Sequence, residues 1–398
     1  MKYQTLGKTK EEVSIIGLET WNLINYKNNK NNLNNLNNSN KLNNLENNSI
    51  EDIIKYGIEN GINLIDTAYS YLPNLNEKGS CEETVGSFLK ENNYRDEVLL
   101  SGKMPSYLIN KKEDMDEIFE NQLKDLKTDY IDIYYLEALD MDYWNMYKSF
   151  DIGEFLDKLK EEDRVKYLGF TTNTEMDMIV DITDQYDKWD IGLSQLSYVD
   201  ERYQSGLEGI EYMYKLGFGT IVRDPLRANS LIENIPEEVK ELYDFADVKR
   251  SPMEWALEYL FTKEEVNSVL YNLSSIDDLK QVIEIASKDD YNISKNDKEV
   301  IREITFEYKQ NKANDCTGCK HCLPCPKGVD IPACFREYNI AKMLNNPKAC
   351  VDKYFRLEGT ADKCVHCGEC NPFCPQMIDI SENIRECEEF FKNKEDYY

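Results

Sequence analysis

Short apolar runs punctuate most of the chain, at VSIIGL (13–18), INLID (62–66), EVLLS (97–101), YIDIYYL (130–136), VKYLGF (165–170), IGLSQL (191–196), FGTIV (218–222) and VNSVLY (266–271). They are rich in β-branched and aromatic residues, as strands are. Longer amphipathic stretches separate them, among them IEDIIKYGIEN, EETVGSFLKEN, EDMDEIFENQLKDL and SIDDLKQVIEIASK. Ser49 is placed to cap the first of these, and Gly61 to end it. Strands that alternate in this way with helices predict a (β/α)8 barrel over residues 1–292. An open doubly wound sheet is the alternative, but no G-x-G-x-x-G follows the first strand.

Two segments break the alternation. Residues 27–48, KNNKNNLNNLNNSNKLNNLENN, are Asn-rich and low in complexity. They have too little apolar surface to offset their ordering entropy, so an insertion in a loop is expected. After a connecting helix and linker (293–312), residues 313–390 turn rich in Cys, Pro and Gly. A small α-rich domain organised by metal rather than by a large core is expected there.

Composition narrows the function. A formal charge of -28 argues against nucleic-acid and anionic-membrane partners, which need clustered Lys and Arg. No apolar run is long enough to span a bilayer, and the opening residues carry no secretory-type apolar segment, so a cytoplasmic protein is expected. Twelve cysteines are present. Cys81 stands alone and the other eleven lie between Cys316 and Cys387, a clustering that favours metal over disulfides.

Eight of these cysteines form two matching sets. The first, CTGCKHCLPCP, holds Cys316, Cys319, Cys322 and Cys325; the second, CVHCGECNPFCP, holds Cys364, Cys367, Cys370 and Cys374. C-x2-C-x2-C followed by a remote Cys-Pro is the spacing of paired 4Fe-4S clusters, in which the remote cysteine ligates the other cluster. On that rule Cys316, Cys319, Cys322 and Cys374 hold one cluster, and Cys364, Cys367, Cys370 and Cys325 the other. The first run is one residue short of C-x3-C-P, which matters little if Cys325 serves the distant site. Structural zinc is the alternative, because zinc also accepts four thiolates. His321 and His366, the two histidines, lie inside the runs as neighbours that could tune a cluster. Cys81, Cys334, Cys350 and Cys387 read as ordinary buried residues.

The expected strand ends carry a second constellation: Asp66, Tyr71 five residues on, Lys103, Glu137, Asn173, Gln195 and Arg223. Barrel enzymes keep their chemistry at that end. Lys103 beside Asp66 would stay charged and lower the pKa of a nearby Tyr71, which makes a proton donor.

The stretches YQTLGKTKEEVSIIGLETW, GINLIDTAYSY, VLLSGK, YIDIYYLE and YLGFTTN resemble the aldo/keto reductase superfamily. The cysteine runs resemble its branch with a fused ferredoxin-type domain, which shares the short spacing of the first run. The resemblance implies hydride transfer between NADPH or NADH and a carbonyl compound. It places catalytic roles on Asp66, Tyr71, Lys103 and Glu137, with Tyr71 as proton donor. It also implies nicotinamide contacts at Thr20, Asn173, Gln195 and Arg223, and cofactor contacts at Ser274 and Ser275. Three positions depart from the family pattern. Glu137 stands where His is usual, which brings in reduction of an activated C=C bond. Glu19 replaces the second Gly of GLGT, and Arg223 replaces an aromatic ring. The Arg and Asn that usually bind the adenosine phosphate end are also missing after Ser275.

The expected function is an iron–sulfur oxidoreductase acting on a small-molecule substrate. A ferredoxin or other redox partner would exchange electrons with the clusters. A flavin would bridge two-electron and one-electron steps, but no flavin motif is present. The alternative is an electron-transfer or interaction protein whose barrel no longer turns over nicotinamide, a reading that Glu19 and Arg223 favour.

Overall fold

The structure is a computed structural model that describes residues 1–20, 50–69, 80–172, 174–233, 235–272 and 275–392. The Asn-rich insertion and Ser49 lie outside them. So do Tyr71, Asn173 and Ser274. The chain divides into two compact units, one of residues 1–225 with 257–292, the other of 226–256 with 293–398.

The first unit is the expected barrel. A short antiparallel hairpin comes first, β1 (Tyr3–Thr5) and β2 (Glu12–Ser14). Then follow β3 (Ile16–Glu19), α1 (Ile50–Glu59), β4 (Leu64–Asp66), α2 (Ser80–Glu91), β5 (Leu99–Met104), α3 (Lys112–Asp125) and β6 (Ile131–Leu139). After α4 (Met141–Ser149) and α5 (Ile152–Glu161) come β7 (Val165–Thr172), α6 (Met176–Gln185), β8 (Ile191–Gln195), α7 (Gly206–Lys215) and β9 (Gly219–Arg223). The second unit takes up α8 (Glu237–Tyr243); α9 (Pro252–Phe261), β10 (Ser268–Asn272) and α10 (Ile276–Ala286) complete the alternation. Strands β3 to β10 pair in parallel and close through β10 against β3.

Alternation of side chains along each strand sorts the barrel interior into layers. Leu64, Leu99, Ile133, Ile191, Ile221 and Leu270 form an apolar layer, and Leu6 and Val13 of the hairpin complete it. Two or four residues further on, the inward positions turn polar: Asp66, Lys103, Glu137, Gln195, Arg223 and Asn272. The hairpin turn needs glycine at Gly7. Its φ is +52°, and a Cβ there would sit 2.2 Å from the Gly219 amide nitrogen. Helix α1 buries Ile53, Ile54, Gly57 and Ile58 along one face, and Gly61, at φ +92°, ends it as expected.

The second unit is helical. It contains α8, α11 (Lys295–Gln310), α12 (Ile331–Met343), α13 (Val351–Phe355) and α14 (Ile380–Phe390). Residues 226–256, expected within the barrel domain, group here, as does the segment expected to be a connector. A buried ion pair links the two segments: Asp297, which completes the capping box of α11 with Ser294, accepts from Arg250 at 3.0 Å and from the Asp247 amide at 3.1 Å. Helix α8 packs along α11. Tyr354 stacks on Phe391 with centroids 3.9 Å apart, the centre of a small aromatic core. Among the described residues no helix is long and apolar enough to cross a membrane.

Candidate active site and cysteine cavities

Side chains of registered neighbours on parallel strands share a face. Asn272, Glu19, Asp66 and Ser101 are such a row, across β10, β3, β4 and β5. Lys103 follows two residues after Ser101, on the same face. Its Nζ donates to Asp66 Oδ2 and, at 2.8 Å, to the Thr67 carbonyl. Ser101 Oγ donates to the other oxygen, Asp66 Oδ1. Both members of the ion pair are 1% exposed. Each Asp66 oxygen therefore has a donor, and the ammonium is fixed at the C-terminal end of the barrel.

Glu137 lies at a break in register between Leu136 and Leu139, the kind of irregularity that re-aims side chains at barrel rims. It is buried, and its carboxyl lies near enough to Glu82 and Tyr147 to act on their charge states. Its carbonyl accepts from Ser106 Oγ. Thr20 spends its hydroxyl on the Asp66 carbonyl at 2.8 Å and stands 3.2 Å from Cys81 Sγ. Burial pushes the Cys81 thiol up to about 11, which makes it inert. Gln195 Nε2 donates to Asp224 Oδ2 at 2.6 Å, and Arg223 is the registered partner of Gln195. Ser275 caps α10 through the Asp278 amide at 3.0 Å.

Behind Lys103 runs a network that the sequence does not announce. Gln122 Nε2 donates to Glu82 Oε1 at 2.6 Å and to the Lys103 carbonyl at 3.0 Å, and Tyr134 OH donates to Gln122 Oε1 at 2.5 Å. Glu82 Oε2 has no hydrogen-bond partner among the described residues. Burial pushes the Glu82 carboxyl up from 4.5 to about 8, against the pull of the Gln122 bond. The folded barrel thus holds this proton more tightly than the unfolded chain, and the stability it contributes is lost as pH rises through that range. The melting temperature of the wild type should fall relative to that of Glu82→Gln as pH is raised from about 5 to about 9. A constant difference, measured by calorimetry at each pH, would contradict a neutral Glu82.

In the second unit the eight motif cysteines divide between two cavities. Cys325, Cys364, Cys367 and Cys370 line one of about 220 Å³, with Val365 and Phe373. Cys316, Cys319, Cys322 and Cys374 line a smaller one; Cys322 also borders the first. Each run's remote cysteine thus meets the other run's triplet. The sulfurs do not converge as for a single ion: no three His, Cys, Asp or Glu do so among the described residues. His321 lowers the Cys319 thiol through its backbone amide and its ring. His366 Nδ1 lies 3.8 Å from Cys364 Sγ. Cys334, Cys350 and Cys387 are buried, and burial pushes Cys334 up to about 12.

The comparisons with known proteins concern the barrel. A model of the aldo/keto reductase family matches residues 33–301. Protein tas of Escherichia coli (strain K12) is 24% identical over 286 residues, 58% of this chain and 82% of that protein. Aldo-keto reductase YhdN of Bacillus subtilis (strain 168) is 34% identical over 142 residues, 34% of this chain and 37% of that one. Among solved structures, the holo form of aldo-keto reductase AKR11C1 from Bacillus halodurans gives a TM-score of 0.57 at 22% identity. The match covers 76% of this chain and 96% of that one, and shows a shared fold. With the family model spanning well over half of the sequence and an eight-stranded barrel under it, the chain belongs to the aldo/keto reductase family of oxidoreductases.

Proposed function

We propose that the chain is a nicotinamide-dependent reductase of a small carbonyl or activated C=C compound, with two 4Fe-4S clusters in its second unit. The observation that carries the barrel half is the buried Lys103–Asp66 pair at the strand ends. A fixed ammonium there would lower the pKa of a neighbouring phenol and stabilise charge developing on a substrate oxygen. Tyr71 takes the phenol's part by resemblance.

NAD(P)H is typical of the family, and when bound it would supply the hydride. Asn173, Gln195, Thr20 and Arg223 would hold the nicotinamide end. The polar layer fits that end, since Gln195 and Arg223 lie side by side in it. Ser274 and Ser275 would stand at the phosphate end. There the fit is poorer. The first turn of α10 carries Asp277 and Asp278, and Lys280 is 3.0 Å from Asp277. These carboxylates oppose an additional phosphate, which favours NADH over NADPH.

The cluster half is supported by the division of eight cysteines into two sets of four. The larger cavity, at about 220 Å³, is several times the roughly 30 Å³ share of a water molecule, more space than one zinc ion needs. Cys316, Cys319, Cys322 and Cys374 would hold one cluster, and Cys325, Cys364, Cys367 and Cys370 the other. Each would supply one-electron transfer, for which a ferredoxin-like protein is a fitting partner. The competing reading, an electron carrier with a silent barrel, is favoured by Glu19 in the barrel mouth. Anaerobic purification with iron, sulfide and flavin analysis, followed by fluorescence titration with NADH and NADPH, tests both halves. The expected result is about eight irons per chain and binding of nicotinamide. Zinc in a colourless protein would overturn the cluster half, and no binding of either nucleotide the barrel half.

A further inference from the structure

Gln195 ends β8 in the polar layer of the barrel, with 4% of its surface exposed. The reading above gives it a place at the nicotinamide end. Its amide has two unlike ends: the NH2 group donates and the carbonyl oxygen accepts. Which of them a ligand meets depends on what holds the other. Here Nε2 donates to Asp224 Oδ2 at 2.6 Å. An ionised carboxylate accepts hydrogen bonds and offers none, so only the NH2 end of the amide can face it. The pairing therefore fixes which end of Gln195 is which. Oε1 is the acceptor that the amide presents, and its two lone pairs allow it more than one donor.

The backbone at Asp224 is turned in a way that permits this contact. Strand β9 ends at Arg223, the registered partner of Gln195. Successive side chains of a strand point to opposite faces. Continued as a strand, the chain would carry the Asp224 side chain to the face away from Gln195. Its φ is instead +54°, in the left-handed region that residues with a Cβ avoid and that Asp and Asn tolerate best. The turn leaves the carboxylate beside Gln195. Backbone held in such sparsely populated regions clusters at functional sites, where the surroundings fix it.

We propose that Asp224 is a positioning residue that sets recognition of the nicotinamide carboxamide through Gln195, an inference that rests on the reductase reading above. Held by Asp224, Gln195 accepts at Oε1 from the carboxamide NH2 group. The barrel then selects a ring substituent that donates and disfavours one of the same shape that only accepts. Asparagine in place of Asp224 ends the selection. Its side chain can donate or accept, so the Gln195 amide is free to turn over and match either ligand.

The test measures Kd by calorimetric titration of the anaerobically prepared full chain. The probes are NAD+ or NADP+, whichever binds, and its 3-acetylpyridine analogue, an uncharged replacement of the carboxamide NH2 by a methyl group. The wild type should prefer the carboxamide by about tenfold. Asp224→Asn keeps the side chain's shape and tolerates the left-handed φ, and should cut that preference to within about threefold. Gln195→Met should lose the preference too. Adding Asp224→Asn to Gln195→Met should leave the ratio of the two Kd values where it is, because Asp224 acts through Gln195. Equal wild-type affinity for both probes, an unchanged preference in Asp224→Asn, or a further change of the ratio in the double variant would each overturn the proposal. A wild type that binds neither NAD+ nor NADP+ would overturn the reductase reading itself, and the proposal with it.

Discussion

Replacing Lys103 with methionine is expected to lower kcat by at least about a hundredfold and to destabilise the barrel by about 3–5 kcal/mol. Methionine keeps much of the side chain's length and its apolar packing, so the change isolates the ammonium. That ammonium is bonded to Asp66 and to the Thr67 carbonyl, with both charged side chains 1% exposed. Without it Asp66 keeps Ser101 as a donor but becomes an uncompensated buried charge, and desolvation of such a charge costs more than the pair contributes when intact. The double variant Lys103→Met/Asp66→Asn separates the two effects. It should recover much of the lost stability, because no lone charge is left, and none of the activity, because the charge proposed to stabilise the substrate oxygen is gone. Urea denaturation gives the stabilities, and initial rates of NADH oxidation with a carbonyl or activated C=C compound that the wild type reduces give the activities. A single variant as stable as the wild type would show that the pair is not the electrostatic centre of the barrel mouth.

The same residues show what could be read in advance. Asp66, Lys103, Gln195 and Arg223 were legible because period-2 alternation fixes which face each occupies, and the short apolar runs fix where the strands end. The barrel's eight strands follow those runs closely, from Ile16–Glu19 to Ser268–Asn272. The hairpin was not legible. Its strands are three residues each, and Val13 and Ser14 read as the start of the first barrel strand when they belong to β2. Glu82 was also missed. The stretch EETVGSFLKEN shows a helix but not that its first Glu meets Gln122, forty residues on, behind Lys103. The Glu19 substitution was visible, but its surroundings were not. Arg223 and Asp224 reach it only because β10 closes the barrel between β9 and β3. Residues 226–256 group with the second unit, and the Arg250–Asp297 pair that links them to α11 has a sequence separation that gives no periodic signal.

Single replacements Cys325→Ser and Cys316→Ser should each reduce iron from about eight to about four atoms per chain, but they should combine in different ways with other variants. Cys325 belongs to the first run in sequence and lines the cavity of the second run's triplet, Cys364, Cys367 and Cys370. Cys316 lines the other cavity with Cys374. If a cavity is the unit that holds metal, Cys325→Ser with Cys364→Ser damages one site twice, and iron stays at about four. Cys325→Ser with Cys316→Ser damages both sites, and iron falls to near zero, although both cysteines come from the same eleven-residue stretch. Pairing by sequence run gives the opposite pattern, so the two doubles discriminate without knowledge of the reaction. Iron and acid-labile sulfide per chain, measured on the monodisperse fraction after anaerobic purification, are the readout. The stability of the second unit should follow the same order, because its core is small and metal binding by preformed thiolates adds directly to folding free energy. The barrel has its own closed sheet and core. Nicotinamide binding should therefore survive in every one of these variants, which separates the proposed cluster sites from the proposed hydride-transfer site.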